Sequence, residues 1–121
     1  MKQPKRKVIS YSASRDSGYG SRAVIVQYDD SDQEMLDPRP SQKLYNHSPD
    51  GFEWGYGGSG PAQLALAILL HYTGNPKEAL MWHQDFKWEF MAKAPQEGFV
   101  ITADQIERYL SLPVIADRPH R

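Results

Sequence analysis

The chain has 121 residues and a mass of 13.8 kDa, enough for one domain that buries roughly two-thirds of the surface its unfolded form exposes, and too little for two. The 14 Lys and Arg stand against 15 Asp and Glu, a net charge of -1, so no global field draws the protein toward nucleic acid or an anionic membrane. Cysteine is absent, which removes disulfides, thiolate metal sites and a cysteine nucleophile in one step.

The N-terminal stretch "MKQPKRKVISYSAS" is basic but lacks the apolar core of an export signal, and the longest apolar run, residues 64–70, is far below the ~20 residues needed to span a bilayer. The expectation is a cytoplasmic protein with no membrane partner, a single domain over 1–121 with flexible tails at 1–6 and 114–121. Lys2, Lys5, Arg6 and Lys7 at one end and Arg118, His120 and Arg121 at the other read as solvated tail charges rather than a nucleic-acid patch.

In chain order, "VISYSAS" and "RAVIVQY" are rich in β-branched and aromatic residues and flank the Gly/Ser-punctuated "RDSGYGS". This predicts a hairpin pairing residues 8–12 with 22–28. The acidic, proline-containing "DDSDQEMLDPRPSQK" reads as an exposed loop with a short third strand near Met35. Pro61 suits the first turn of a helix capped by Ser59 or Gly60, and Gly74 supplies the stop, giving a first helix over residues 61–73. In "NPKE", Asn75, Pro76 and Glu78 form the cap of a second helix that runs to about Lys93, and Thr102 with Gln105 repeats the device for a short third. The fold class is α+β: an N-terminal β-hairpin or small antiparallel sheet packed on a layer of about three helices.

The first helix is apolar on every side, the pattern of a central core element. The second carries one apolar stripe of Ala79, Phe86 and Phe90, with Trp82 and His83 at its margins, and another of Met81 and Trp88. The second stripe is expected to pack on the sheet; a partner contact through Trp88, including a homodimer, is the other reading.

The densest signalling lies between these halves. "GYGGSG" satisfies G-x-G-x-x-G and opens a helix, so backbone amides could converge on an anion. The dinucleotide reading fails because no apolar strand precedes the glycines and no parallel strand follows the helix. The phosphate-loop reading fails because no Lys-Ser or Lys-Thr follows the last glycine. What remains is a loop in which Gly57, Gly58, Ser59 and Gly60 donate to an anion while Trp54 and Tyr56 offer a stacking wall, or else a turn whose glycines serve packing alone. His47, Ser48 and Asp50 are too close in sequence to point at one another as a triad, so His47 is expected to bond the turn or line the cleft. The four histidines show no metal-ligand spacing, and His71 reads as a partly buried residue near a helix C-terminus. No cofactor or metal is implied.

The run "NHSPDGFEWGYGGSGPAQLALAILL", followed by "TGNPKEAL" and "FKWEFMAKAP", resembles a small uncharacterised family, a domain of unknown function found in bacteria, archaea and their phages and plasmids. The similarity covers about Tyr45 to Leu110. The family's usual Tyr-x-Gly-x-Arg segment is replaced by "YSASR", with Ala13 at the glycine. The resemblance implies a phage or mobile-element accessory protein that acts by binding, similar in kind to counter-defence inhibitors such as those of the anti-CRISPR type. Its partner is expected to be a host protein or an anionic nucleotide-like ligand, held by His47, Trp54, Tyr56, Gly57, Gly58, Ser59 and Gly60. The alternatives are a small nucleotide hydrolase or transferase with His47 as base, and a structural interaction module without a ligand.

Overall fold

The computed structural model describes residues 6–112. Four antiparallel strands, β1 (Val8–Ser14), β2 (Ile25–Tyr28), β3 (Gln33–Met35) and β4 (Gly98–Thr102), lie in the order β3-β2-β1-β4. The hairpin forms, with a second strand that starts at Ile25 rather than Arg22, Tyr11 opposite Val26, Ser12 opposite Ile25, and a register shift between Val8 and Ser10. The third strand is present at Met35. The fourth strand, "GFVIT", is an addition to the elements legible in the sequence; it pairs with β1, setting Tyr11 opposite Ile101.

Four α-helices follow or punctuate the sheet: α1 (Arg39–Leu44), α2 (Ser59–Thr73), α3 (Pro76–Phe86) and α4 (Ala103–Leu110). Their ends obey the local chemistry. Asn75 accepts the Glu78 amide at 3.2 Å with Pro76 behind it, and Thr102 and Gln105 close a reciprocal box at 3.1 and 2.9 Å, each satisfying N–H groups the helix itself leaves open. Gly74 ends α2 in the left-handed conformation, φ 65°, which costs a glycine nothing. The cap of α2 is Gly58 rather than Ser59 or Gly60, which places Pro61 in the third helical position, where its missing N–H is still not needed. Helix α1 lies in the stretch expected to be loop; "RPSQKL" has no apolar periodicity to betray it.

From Gly60 to Leu69 every residue of α2 is buried. Its side chains share a single core with Tyr11, Val26, Tyr28 and Ile101 of the sheet, Val24 just before β2, and Ala79, Phe86 and Met91 of α3 and the turn beyond it. The central position of this helix is as its apolar sequence predicts. Helix α3 does not continue regularly to Lys93: residues Lys87–Met91 form a π-helical turn. The extra residue in that turn rotates the side chains beyond it about the helix axis, and such turns recur at functional positions. No helix among the described residues is long and apolar enough to cross a membrane.

Candidate functional site

The loop between α1 and α2 is held by Gln42 of α1, whose Nε2 donates to the Ser48 carbonyl at 2.9 Å, and from below by Gln63. Gln63, wholly buried in the second turn of α2, accepts the His47 and Ser48 amides at 2.7 and 2.9 Å through Oε1. Its Nε2 donates to Ser41 Oγ at 2.9 Å and to the Tyr45 carbonyl at 3.2 Å. A neutral amide uses its acceptor twice and both of its N–H groups, so the buried polar group is fully matched. The loop carrying His47 is thereby pinned to the central helix.

His47 does not turn back on Ser48 or Asp50. Its Nε2 lies 2.9 Å from Nε2 of His83, on α3, and its ring stacks on Tyr45 with centroids 4.3 Å apart. His83 Nδ1 donates to the Leu80 carbonyl at 2.8 Å, which leaves its Nε2 as an acceptor and makes His47 the donor in the pair. One turn beyond His83, Lys87 is only 7% exposed. Its ammonium donates to the Gly57 carbonyl at 3.2 Å and lies 4.4 Å from the Trp88 ring centre, and no carboxylate pairs with it among the described residues. Two imidazoles and an ammonium thus gather where α3, the π-helical turn and the His47 loop meet.

Burial pushes the Lys87 ammonium below its ordinary range. It does the same to His47, helped by His83 and Lys87, and to His83, where the Leu80 carbonyl partly opposes it and Lys87 adds to it. A histidine whose folded pKa lies below its unfolded value keeps its full stability contribution above about pH 6.5 and loses it as pH falls toward the folded pKa, because the unfolded chain then binds more protons. Thermal midpoints measured from about pH 7 to pH 5 should therefore fall, and His83→Gln should flatten that decline.

The other expected site residues divide. Trp54 is 0% exposed: Arg15 lies 3.9 Å over its ring centre, Phe99 meets it edge-on at 5.3 Å, and its indole N–H donates to the Gln96 carbonyl at 3.2 Å. It belongs to the core and offers no wall to a ligand. Tyr56 remains 49% exposed. The glycines serve close packing: a Cβ at Gly57 would stand 2.2 Å from the Trp88 ring, one at Gly58 2.4 Å from the Tyr56 ring, and one at Gly60 2.6 Å from the Glu53 side chain. Trp88 accordingly lies over the glycine turn and does not pack on the sheet, while Met81 of the same stripe is 63% exposed. Ser59 is exposed at the head of α2. The structure adds Tyr45, Gln63, His83 and Lys87 to the cluster. His83 and Lys87 are four apart, a helical-face spacing that could have drawn attention; nothing in the sequence pairs either with His47.

His71 sits apart, in a directed chain. The Tyr28 hydroxyl donates to Glu34 at 2.6 Å, which leaves its oxygen to accept from His71 Nε2 at 3.1 Å and His71 Nδ1 to accept from Tyr11 at 2.7 Å. Burial raises both phenols far enough to keep them protonated, Tyr28 to about 12. His71 thus bonds Tyr11 and Tyr28 while His83 bonds His47 and Leu80, and no group of three His, Cys, Asp or Glu side chains able to hold a metal is found among the described residues.

A model described as a family of unknown function, DUF6166, matches residues 11–112. No curated protein and no solved structure matches the chain.

Proposed function

The chain belongs to the DUF6166 family, a family of unknown function, and from that footing we propose that it is a non-enzymatic binding protein whose loop 47–60 receives an anionic, nucleotide-like group. The observation that carries this reading is Lys87. An ammonium on a side chain only 7% exposed gives up part of its hydration, and among the described residues the partners offered in return are one carbonyl and one ring face. A ligand anion would supply a countercharge near the His47–His83 pair, with the exposed rings of Tyr45, stacked on His47, and of Tyr56, against Gly58, as further contact surface. The anion contact thus moves from the glycine amides to Lys87, and the stacking surface from Trp54 to Tyr56 and Tyr45.

Acid–base catalysis is less well supported. His47 is oriented by a second imidazole rather than a carboxylate, so a proton it accepts gains no adjacent negative charge. The setting, a phage or mobile-element factor that sequesters a signalling nucleotide or occupies a host effector, rests on the sequence resemblance.

The test is thermal unfolding of the whole chain, in EDTA, against inorganic phosphate, mononucleotides and cyclic oligonucleotides. At about 100 times its dissociation constant, a bound ligand adds about 2.7 kcal/mol. At least one anion should raise the midpoint, and Lys87→Met should abolish that rise while remaining folded. If no member of the panel moves the midpoint, or Lys87→Met responds as the wild type does, the anion reading is wrong. A nucleotide recovered altered after incubation would favour the hydrolase.

A further inference from the structure

We infer that His47 and His83 form a two-histidine site for a late first-row divalent cation, with Zn2+ as its simplest occupant. The observation is the convergence of two Nε2 atoms, 2.9 Å apart, from a loop and a helix 36 positions apart in sequence. His83 is oriented as a ligand is, and His47 is placed against it. His83 donates its other ring N–H to the Leu80 carbonyl, the backbone contact that commonly fixes the tautomer of a metal-bound histidine and aims Nε2 at the metal. His47 is set by two independent contacts: its backbone N–H is held by Gln63, and its ring lies on Tyr45.

The distances are compatible with small movement. Two Zn–N bonds of about 2.0–2.1 Å at a tetrahedral angle hold their nitrogens about 3.4 Å apart. The rings therefore need to separate by roughly 0.5 Å from the hydrogen-bonded spacing. His47 moves its proton from Nε2 to Nδ1, so both lone pairs face the ion and no net proton is lost at neutral pH. Neutral imidazoles suit Zn2+, Ni2+ and Cu2+ rather than Mg2+ or Ca2+, which prefer oxygen.

Two protein ligands leave two positions of a tetrahedral ion to water or an anion, because no group of three His, Cys, Asp or Glu side chains gathers here among the described residues. The nearby Lys87 ammonium weakens the bare cation by repulsion, and it favours an anion as the third ligand. The site therefore exchanges its metal rather than building the fold around it. The inference stands without the anion reading, since the two histidines are placed by Gln63, Tyr45 and Leu80 and not by Lys87.

The test uses the whole chain in a non-chelating buffer at neutral pH, titrated with ZnCl2 alone by calorimetry, with the histidine ring resonances monitored in parallel. Binding of one equivalent is expected, with the His47 and His83 signals perturbed before those of His71 and His120. His47→Gln and His83→Gln should each weaken binding by about tenfold or more, and MgCl2 should produce no effect. No heat and no selective shift up to millimolar Zn2+, or equal response of all four histidines, overturns the site. The ring resonances of the wild type decide the matter even if a variant fails to fold. Because the anion titration is run in EDTA, failure of the metal site leaves its outcome unchanged, and the converse also holds.

Discussion

Trp54→Ala lowers the stability of the fold by about 3–5 kcal/mol, the range for removing a large buried ring and leaving a cavity. The ring is enclosed on all sides: Arg15 caps one face, Phe99 meets it edge-on, and its N–H is bonded to the Gln96 carbonyl. Arg15 also bonds Glu53 at 2.8 Å and the carbonyls of Gln96 and Ser21, so the substitution loosens a contact joining the β1–β2 turn, the glycine loop and the approach to β4. Urea unfolding monitored by circular dichroism measures the change, with a lower midpoint at unchanged slope marking a loss confined to stability. A loss below about 1 kcal/mol, with a ligand response abolished, would return the indole to the role of a binding wall.

Gln63→Leu is the second large effect, about 3 kcal/mol or more, and its cause is different. Leucine fits the apolar surroundings of α2, but it orphans the His47 and Ser48 amides and takes a donor from the Tyr45 carbonyl, each at a typical cost of about 1–3 kcal/mol when buried, less where water reaches it; Ser41 keeps its bond to the Pro38 carbonyl at 2.7 Å. The damage should be local as well as global. Amide hydrogen exchange is expected to accelerate at His47 and Ser48 more than in α2 itself, because the helix keeps its ladder while the loop loses its anchor. If those amides keep their protection, Gln63 is not what positions the loop. The same variant should weaken both ligand responses at the His47 cluster, since the two imidazoles are brought together only while the loop is pinned.

These two residues show how differently core and site are written into the chain. The hairpin, the central helix and the caps at Asn75 and Thr102 are legible because each is set by neighbours within a few positions: alternation, apolar fill, and a side chain three residues from the amide it accepts. Strand β4 escapes a sequence reading because five residues, "GFVIT", become a strand only by pairing with β1, more than 80 positions earlier. Helix α1 escapes it because its two-turn surface segment has no apolar stripe to read.

The candidate site is half legible. The glycine and aromatic loop stands out correctly as a place of close backbone approach, but which rings face inward cannot be read from their order. Trp54 and Tyr56, two positions apart, differ from complete burial to half exposure because Arg15 and Phe99 close over one while the other rests on Gly58 at the surface.

The sequence by itself determined an α+β domain with a buried central helix, because periodicity, capping and glycine placement are local properties whose energies sum along the chain. The tertiary structure alone decided that His47 meets His83 and that Lys87 lies buried beside them, with no carboxylate paired to it among the described residues. That constellation joins a loop, a helix and a π-helical turn, and side-chain chemistry converges in space only after Gln63 has tied the loop to α2.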